Sequence, residues 1–277
     1  MALIRRIESH EMGTGKVLPT MITLGLPAAV LGLVQSLFEM TDLWFISRWL
    51  GKDAISGVSA VWPILFTVFS IAQAANVGIS ALLSRRLGAG RPDQARDVLN
   101  HGLLMSAVVG ALSTFLLLVF LDPILRRAGT SPQTYPYARD FASIIFLGVL
   151  GVHVGTAADG ALRAQGNTVT PMKVGIVANI LNAVLNPILI FGLRMGVRGS
   201  AMATLITRSA MAVVLLSRLW SASSEVRPGR LRGLSLRERV GVIGGIYWIG
   251  IPSSIGMLSM ALSMVAINEY ISGMSPY

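Results

Sequence analysis

Apolar residues fall in seven long blocks separated by short polar ones. The blocks lie at about 17–46, 55–84, 98–121, 138–162, 172–193, 199–220 and 240–271. Each is near or above the roughly 20 residues that carry a helix across a bilayer. Turn-forming runs such as Gly88-Ala89-Gly90-Arg91-Pro92-Asp93 and Gly166-Asn167-Thr168 divide the first six. Thr170-Pro171 reads as an N-cap followed by proline at the first helical position. The pattern predicts an all-α, polytopic transmembrane helical bundle. Pro27, Pro63, Pro187 and Pro252 fall inside predicted helices and free the carbonyls of Thr23, Ser59, Ala183 and Trp248. In lipid such carbonyls need a new partner or a water-lined cavity.

Polar residues inside these blocks are spaced for helices. Gln35, Glu39 and Asp42 stand at i, i+4 and i+7 on the first helix. Asn179, Asn182 and Asn186 share one face of the fifth, and Gln73, Asn76 and Ser80 one face of the second. An ionisable group at membrane depth costs at least a few kcal/mol, which makes Glu39 and Asp42 candidates for function. Asp42, Asn182, Asn186 and Thr204 all fall in the outer half of the membrane, where a carboxylate, two amides and a hydroxyl can converge. Oxygen donors of this kind suit a hard cation or a proton-bearing carboxyl. Gln35, Gln73, Asn76 and Asn179 are candidates for lining a cavity. Asp159 lies near the inner end of the fourth helix with Arg163 four residues on, the spacing of an ordinary ion pair. Glu269 reads as interfacial, and Arg208 is a cation well inside a span.

Composition agrees with the pattern: 53% hydrophobic residues, 13% charged, and a mean hydropathy of +0.67. The formal charge of +10 is a matter of topology, not of nucleic acid. With the N-terminus cytoplasmic, fifteen of the 23 Lys and Arg residues fall in inward segments and seven in outward ones. Residues 1–16 are polar and the first apolar block exceeds a signal-peptide core, so the first helix acts as its own insertion signal in a plasma membrane of the bacterial inner type. No cysteine is present, which removes disulfides and thiolate metal sites. No Ser/His pairing or metal-ligand spacing appears, and His10, His101 and His153 are scattered, so an enzyme is not expected. A seven-helix receptor would need the opposite orientation.

Leu24-Gly25-Leu26-Pro27 returns 225 positions later as Ile249-Gly250-Ile251-Pro252. Without gaps, six of the 23 pairs from Gly25 to Ser47 are identical. Helical repeats of this kind build many transporters. The expected organisation is a cytoplasmic segment (1–16), a six-helix lobe (17–220), a basic, flexible linker (221–239), and the first helix of a truncated second lobe (240–277). A missing lobe or a second copy of the chain would then complete it, and a non-functional fragment is the bland alternative.

Several segments together resemble the multidrug and toxic compound extrusion (MATE) transporters. They are Asp42 with Arg48-Trp49-Leu50-Gly51, Arg85-Arg86-Leu87-Gly88-Ala89-Gly90, Ala161-Leu162-Arg163-Ala164-Gln165-Gly166-Asn167, Asn182-Ala183-Val184-Leu185-Asn186-Pro187 and Gly199-Ser200-Ala201-Met202-Ala203-Thr204. The resemblance implies two six-helix lobes, alternating access, and export of cationic or amphipathic compounds in exchange for H⁺ or Na⁺, with no other cofactor. It also implies a first-lobe cation site on Asp42, Asn182, Asn186 and Thr204, in which Asp42, Asn182 and Thr204 would ligate Na⁺. Position 186 departs from the family, which carries Asp there; the lost charge favours proton coupling through Asp42, helped by Glu39. A lipid-linked precursor flippase of the same superfamily is the rival. It would line its cavity with Arg and Lys, of which the spans show only Arg208.

Overall fold

A computed structural model of the chain describes residues 17–221, 224–230 and 233–274. The helices are α1 (Val17–Trp49), α2 (Lys52–Gly88), α3 (Pro92–Val119), α4 (Leu121–Arg127), α5 (Tyr135–Ile145), α6 (Val149–Ala164), α7 (Val169–Pro187), α8 (Val197–Leu219) and α9 (Leu236–Met274). A 3₁₀ turn, Phe146–Gly148, joins α5 to α6, and a π-turn, Ile188–Gly192, follows α7. The chain is all-α, with no strand among the described residues. All seven apolar blocks are helical. Most of their ends reach past the predicted ones, because helix hydrogen bonding continues through polar residues such as Arg85 and Arg86.

Two local readings change. The capping side chain of α7 is Asn167, whose Oδ1 accepts the Thr170 N–H at 3.1 Å, so the helix begins before Thr170-Pro171. Pro187 lies inside the helical span as expected, at the point where α7 passes into the π-turn. The fourth span is broken by the 3₁₀ turn, which no proline or glycine run announces.

In lipid the hydrophobic effect does not hold helices together, so close packing of small residues does. A Cβ added at Gly78 would run into the Ile246 carbonyl, and one at Gly250 into that of Ala74; α2 and α9 touch backbone to backbone at both points. Gly160 repeats this, its Cβ position lying 2.5 Å from the Asn76 carbonyl, which binds α6 to α2. Two apolar clusters result. One, at the connector end, holds Ile79, Leu99, Leu162, Leu215, Leu219 and Ile246. The other, at the opposite end, holds Ile46, Val58, Leu125, Phe141, Phe146 and Val197.

The connector between α8 and α9 is not the loose linker its composition predicts. Val226 is 1% exposed and belongs to the first cluster. Its N–H donates to Gln165 Oε1 at 3.0 Å, and the Gly229 N–H donates to Asn100 Oδ1 at 3.1 Å. Beyond it, Ser235 and Glu238 form a reciprocal capping box that starts α9.

Candidate functional site

Three of the predicted polar residues meet between α7 and α8. Asn186 Nδ2 donates to Asn182 Oδ1 at 3.0 Å, and Asn182 Nδ2 reaches Thr204 Oγ1 at 3.4 Å. Asn182 and Asn186 are fully buried and Thr204 nearly so. The asparagines stand four apart on one face of α7, which the π-turn ends directly after Pro187. Turns of this kind recur at functional positions in helices. The described part of the cluster is uncharged.

The side chains of Gln35, Glu39 and Asp42 lie outside the described residues, as does that of Glu269, but the helix that carries the first three is placed. Asn179 Nδ2 donates to the Val34 carbonyl, and the rings of Phe45 and Phe191 are 6.4 Å apart. Both contacts rise together along the chain, so α1 and α7 run parallel. The separation is 145 residues in one contact and 146 in the other. That register sets Asp42 level with positions 187–188, within one helical turn of Asn186. Ile46, one turn on, packs with Val197 and Ala201 at the start of α8.

A cavity of about 410 Å³ opens among α1, α2, α6, α8 and α9. Gln73, Thr156, Asp159, Arg163, Arg208 and Met257 line it. Of the residues expected there, Gln73 takes that place, whereas Asn76 and Asn179 tie helices together. Asn76 Nδ2 donates to the Thr156 carbonyl at 2.7 Å and to Asp159 Oδ2 at 3.0 Å. Asp159 and Arg163 form the expected ion pair, with Arg163 Nε 3.0 and 2.9 Å from the two carboxylate oxygens. What the sequence reading missed is that this pair faces the cavity. The signal was present: Thr156, Asp159 and Arg163 repeat at i, i+3 and i+7. Thr204 and Arg208 stand one turn apart on α8, so the asparagine cluster and the cavity are joined by a single turn of helix.

Among the described residues no three of His, Cys, Asp and Glu come together as a metal site. His101 and His153 are buried, each with Nδ1 hydrogen-bonded to a carbonyl one turn earlier, Asp97 and Val149. At the opposite end, Asp122 Oδ1 accepts the Tyr135 hydroxyl at 2.7 Å and Arg139 Nε at 3.2 Å. The tyrosine hydrogen bond, then Arg139, holds the Asp122 carboxyl below the ordinary carboxylate range.

The MatE family profile matches residues 27–188, more than half of the chain. The chain belongs to the MatE family. Among curated relatives of this MatE chain, the probable multidrug resistance protein YoeA of Bacillus subtilis is 26% identical over 250 residues, covering 89% of this chain and 54% of its own length. The FAD transporter of Shewanella oneidensis is 28% identical over 203 residues, covering 72% and 44%. Among solved structures, a MOP superfamily transporter from Pyrococcus furiosus, described as having a binding pocket of reversed polarity, superimposes with a TM-score of 0.85 at 26% identity. That match covers 94% of this chain and 57% of the other. The MatE chain therefore spans about half the length of the relatives it matches. These relatives are transporters, not enzymes, and the six long apolar helices beyond α1 make this a multi-pass membrane protein.

Proposed function

We propose that the chain is the ion-coupling lobe of a secondary antiporter that exports amphipathic organic compounds in exchange for H⁺ or Na⁺ by alternating access. Residues 17–220 are read as one lobe, with α9 opening a second, in a bacterial inner membrane with the N-terminus cytoplasmic. The observation that carries this reading is the buried Asn182–Asn186–Thr204 cluster, one turn of α8 from a helix-lined cavity. The parallel register of α1 brings Asp42 to the same level. The relatives' names, multidrug resistance and FAD transport, supply the substrate breadth.

In this mechanism Asp42, with Glu39 one turn away, takes the coupling ion. A proton needs only the carboxylate; Na⁺ would draw its remaining ligands from Asn182 Oδ1 and Thr204 Oγ1, with Asn186 holding Asn182 in place. Ion binding favours one packing of α1 against α7 and α8. The turn from Thr204 to Arg208 transmits that preference to the cavity, so ion and substrate bias the same two-state equilibrium.

Efflux of a fluorescent amphipath from cells expressing the intact gene tests this. Asp42→Asn is expected to abolish efflux driven by a proton gradient, and Asn186→Asp to add dependence on Na⁺. Undiminished efflux in Asp42→Asn would overturn the assignment.

A further inference from the structure

The cavity between α6, α8 and α9 carries hydrogen-bond donors, on Arg163, that neither the coupling mechanism nor the helix packing uses. Asp159 is occupied: its two oxygens receive Arg163 Nε, and Oδ2 also receives Asn76 Nδ2. Its side chain is only 14% exposed. Arg163 is the reverse. It spends Nε alone on the carboxylate, its side chain is 28% exposed, and neither terminal amino group makes a hydrogen bond among the described residues. The ion pair thus leaves both terminal amino groups unspent on a residue that lines the cavity, while its carboxylate is already engaged twice. A guanidinium fork held by its Nε and open at its two Nη groups has the geometry that grips a carboxylate or phosphate by two parallel hydrogen bonds. Arg208, which has an interaction of its own, lines the same cavity. Met211, Leu215 and Met257 supply an adaptable apolar wall.

We propose that Arg163, positioned by Asp159 and Asn76, is a substrate-recognition residue, and that the cavity takes amphipathic oxyanions: molecules with an apolar body and a carboxylate or phosphate group. The proposal rests on the reading of this cavity as the substrate site and gives its substrates a polarity opposite to the cationic compounds that the family resemblance implies. Asp159 acts through Arg163 and does not itself meet the ligand.

Two xanthene dyes of similar size and opposite charge test it: fluorescein as the anion and rhodamine 6G as the cation. Fluorescence anisotropy on the full chain in nanodiscs is expected to show saturable fluorescein binding. Arg163→Gln should weaken it at least about tenfold, the scale of one lost charge-assisted pair, and leave rhodamine 6G no worse bound. Arg163→Lys keeps the charge and the tie to Asp159 but loses the fork, so a drop in fluorescein affinity in a monodisperse Arg163→Lys protein separates recognition from folding. Competition then sorts the headgroup: displacement by dodecyl phosphate, by dodecanoate or by both identifies phosphate, carboxylate or either. Displacement by dodecyltrimethylammonium, or by none of the three, overturns the proposal. So does unchanged fluorescein affinity in Arg163→Gln, or a wild type that prefers rhodamine 6G. Because this assay reads binding and the Asp42→Asn efflux assay reads coupling, either can fail without the other.

Discussion

Asp122 and Asp159 are both bound by arginine, and their surroundings give them different weight. Asp122 sits at an exposed helix corner, where an ion pair adds little. Its carboxyl is held low in the folded state, so its contribution is present above the ordinary value near 4 and is lost as the pH falls through the lower folded value. Thermal unfolding followed from about pH 5 to about pH 3 should therefore fall more steeply in the wild type than in Asp122→Asn, by a small margin. Asp159 lies within a span, and its worth is the orientation it imposes on Arg163. Its pairing was legible from the i, i+4 spacing alone. The direction the pair faces was not, because that depends on which helices pack beside α6. Asn76 and Asn179 teach the same lesson: helical spacing found them, but an amide binds a neighbouring helix as readily as it lines a cavity.

At the scale of elements, the seven long helices were legible because a bilayer demands about 20 apolar residues for each crossing, a signal that survives any packing. What escaped were features set by tertiary contact: the 3₁₀ break at Phe146–Gly148, the π-turn after Pro187, and the Asn167 cap. The approach of α9 to α2 is another. Gly250 was visible in the sequence as half of a repeat, and the structure gives it a task, since only hydrogen fits against the Ala74 carbonyl. Gly250→Ala is expected to cost about 1–3 kcal/mol by forcing the helices apart, read as a lowered midpoint of thermal unfolding in detergent. Gly256→Ala is the control: nothing lies within 4 Å of that added Cβ, so its midpoint should hold or rise slightly.

At the scale of the whole molecule, the organisation turns on the connector. Its arginines and serines read as solvated chain, and one valine among them carried too little signal to predict docking. Yet Val226 is buried with Leu99, Leu162 and Leu219, and the side chains of Gln165 and Asn100 hold the backbone at Val226 and Gly229. Val226→Asp should release this segment. Amide exchange over residues 224–230 is expected to accelerate, with a loss of stability of about 1–3 kcal/mol; wild-type exchange in the variant would mean the docking contributes nothing.

The pinning at Gly229 also fixes a leash length. Sixteen residues, 220–235, separate the end of α8 from the start of α9. As free chain they would let the start of α9 wander roughly 50 Å. With the segment held at Asn100, only the six residues 230–235 remain to pay out, a reach of about 20 Å. Any rearrangement that carries α9 away from α2 must fit inside that radius or first tear Gly229 loose, so the excursion of α9 is limited from the interior of the bundle.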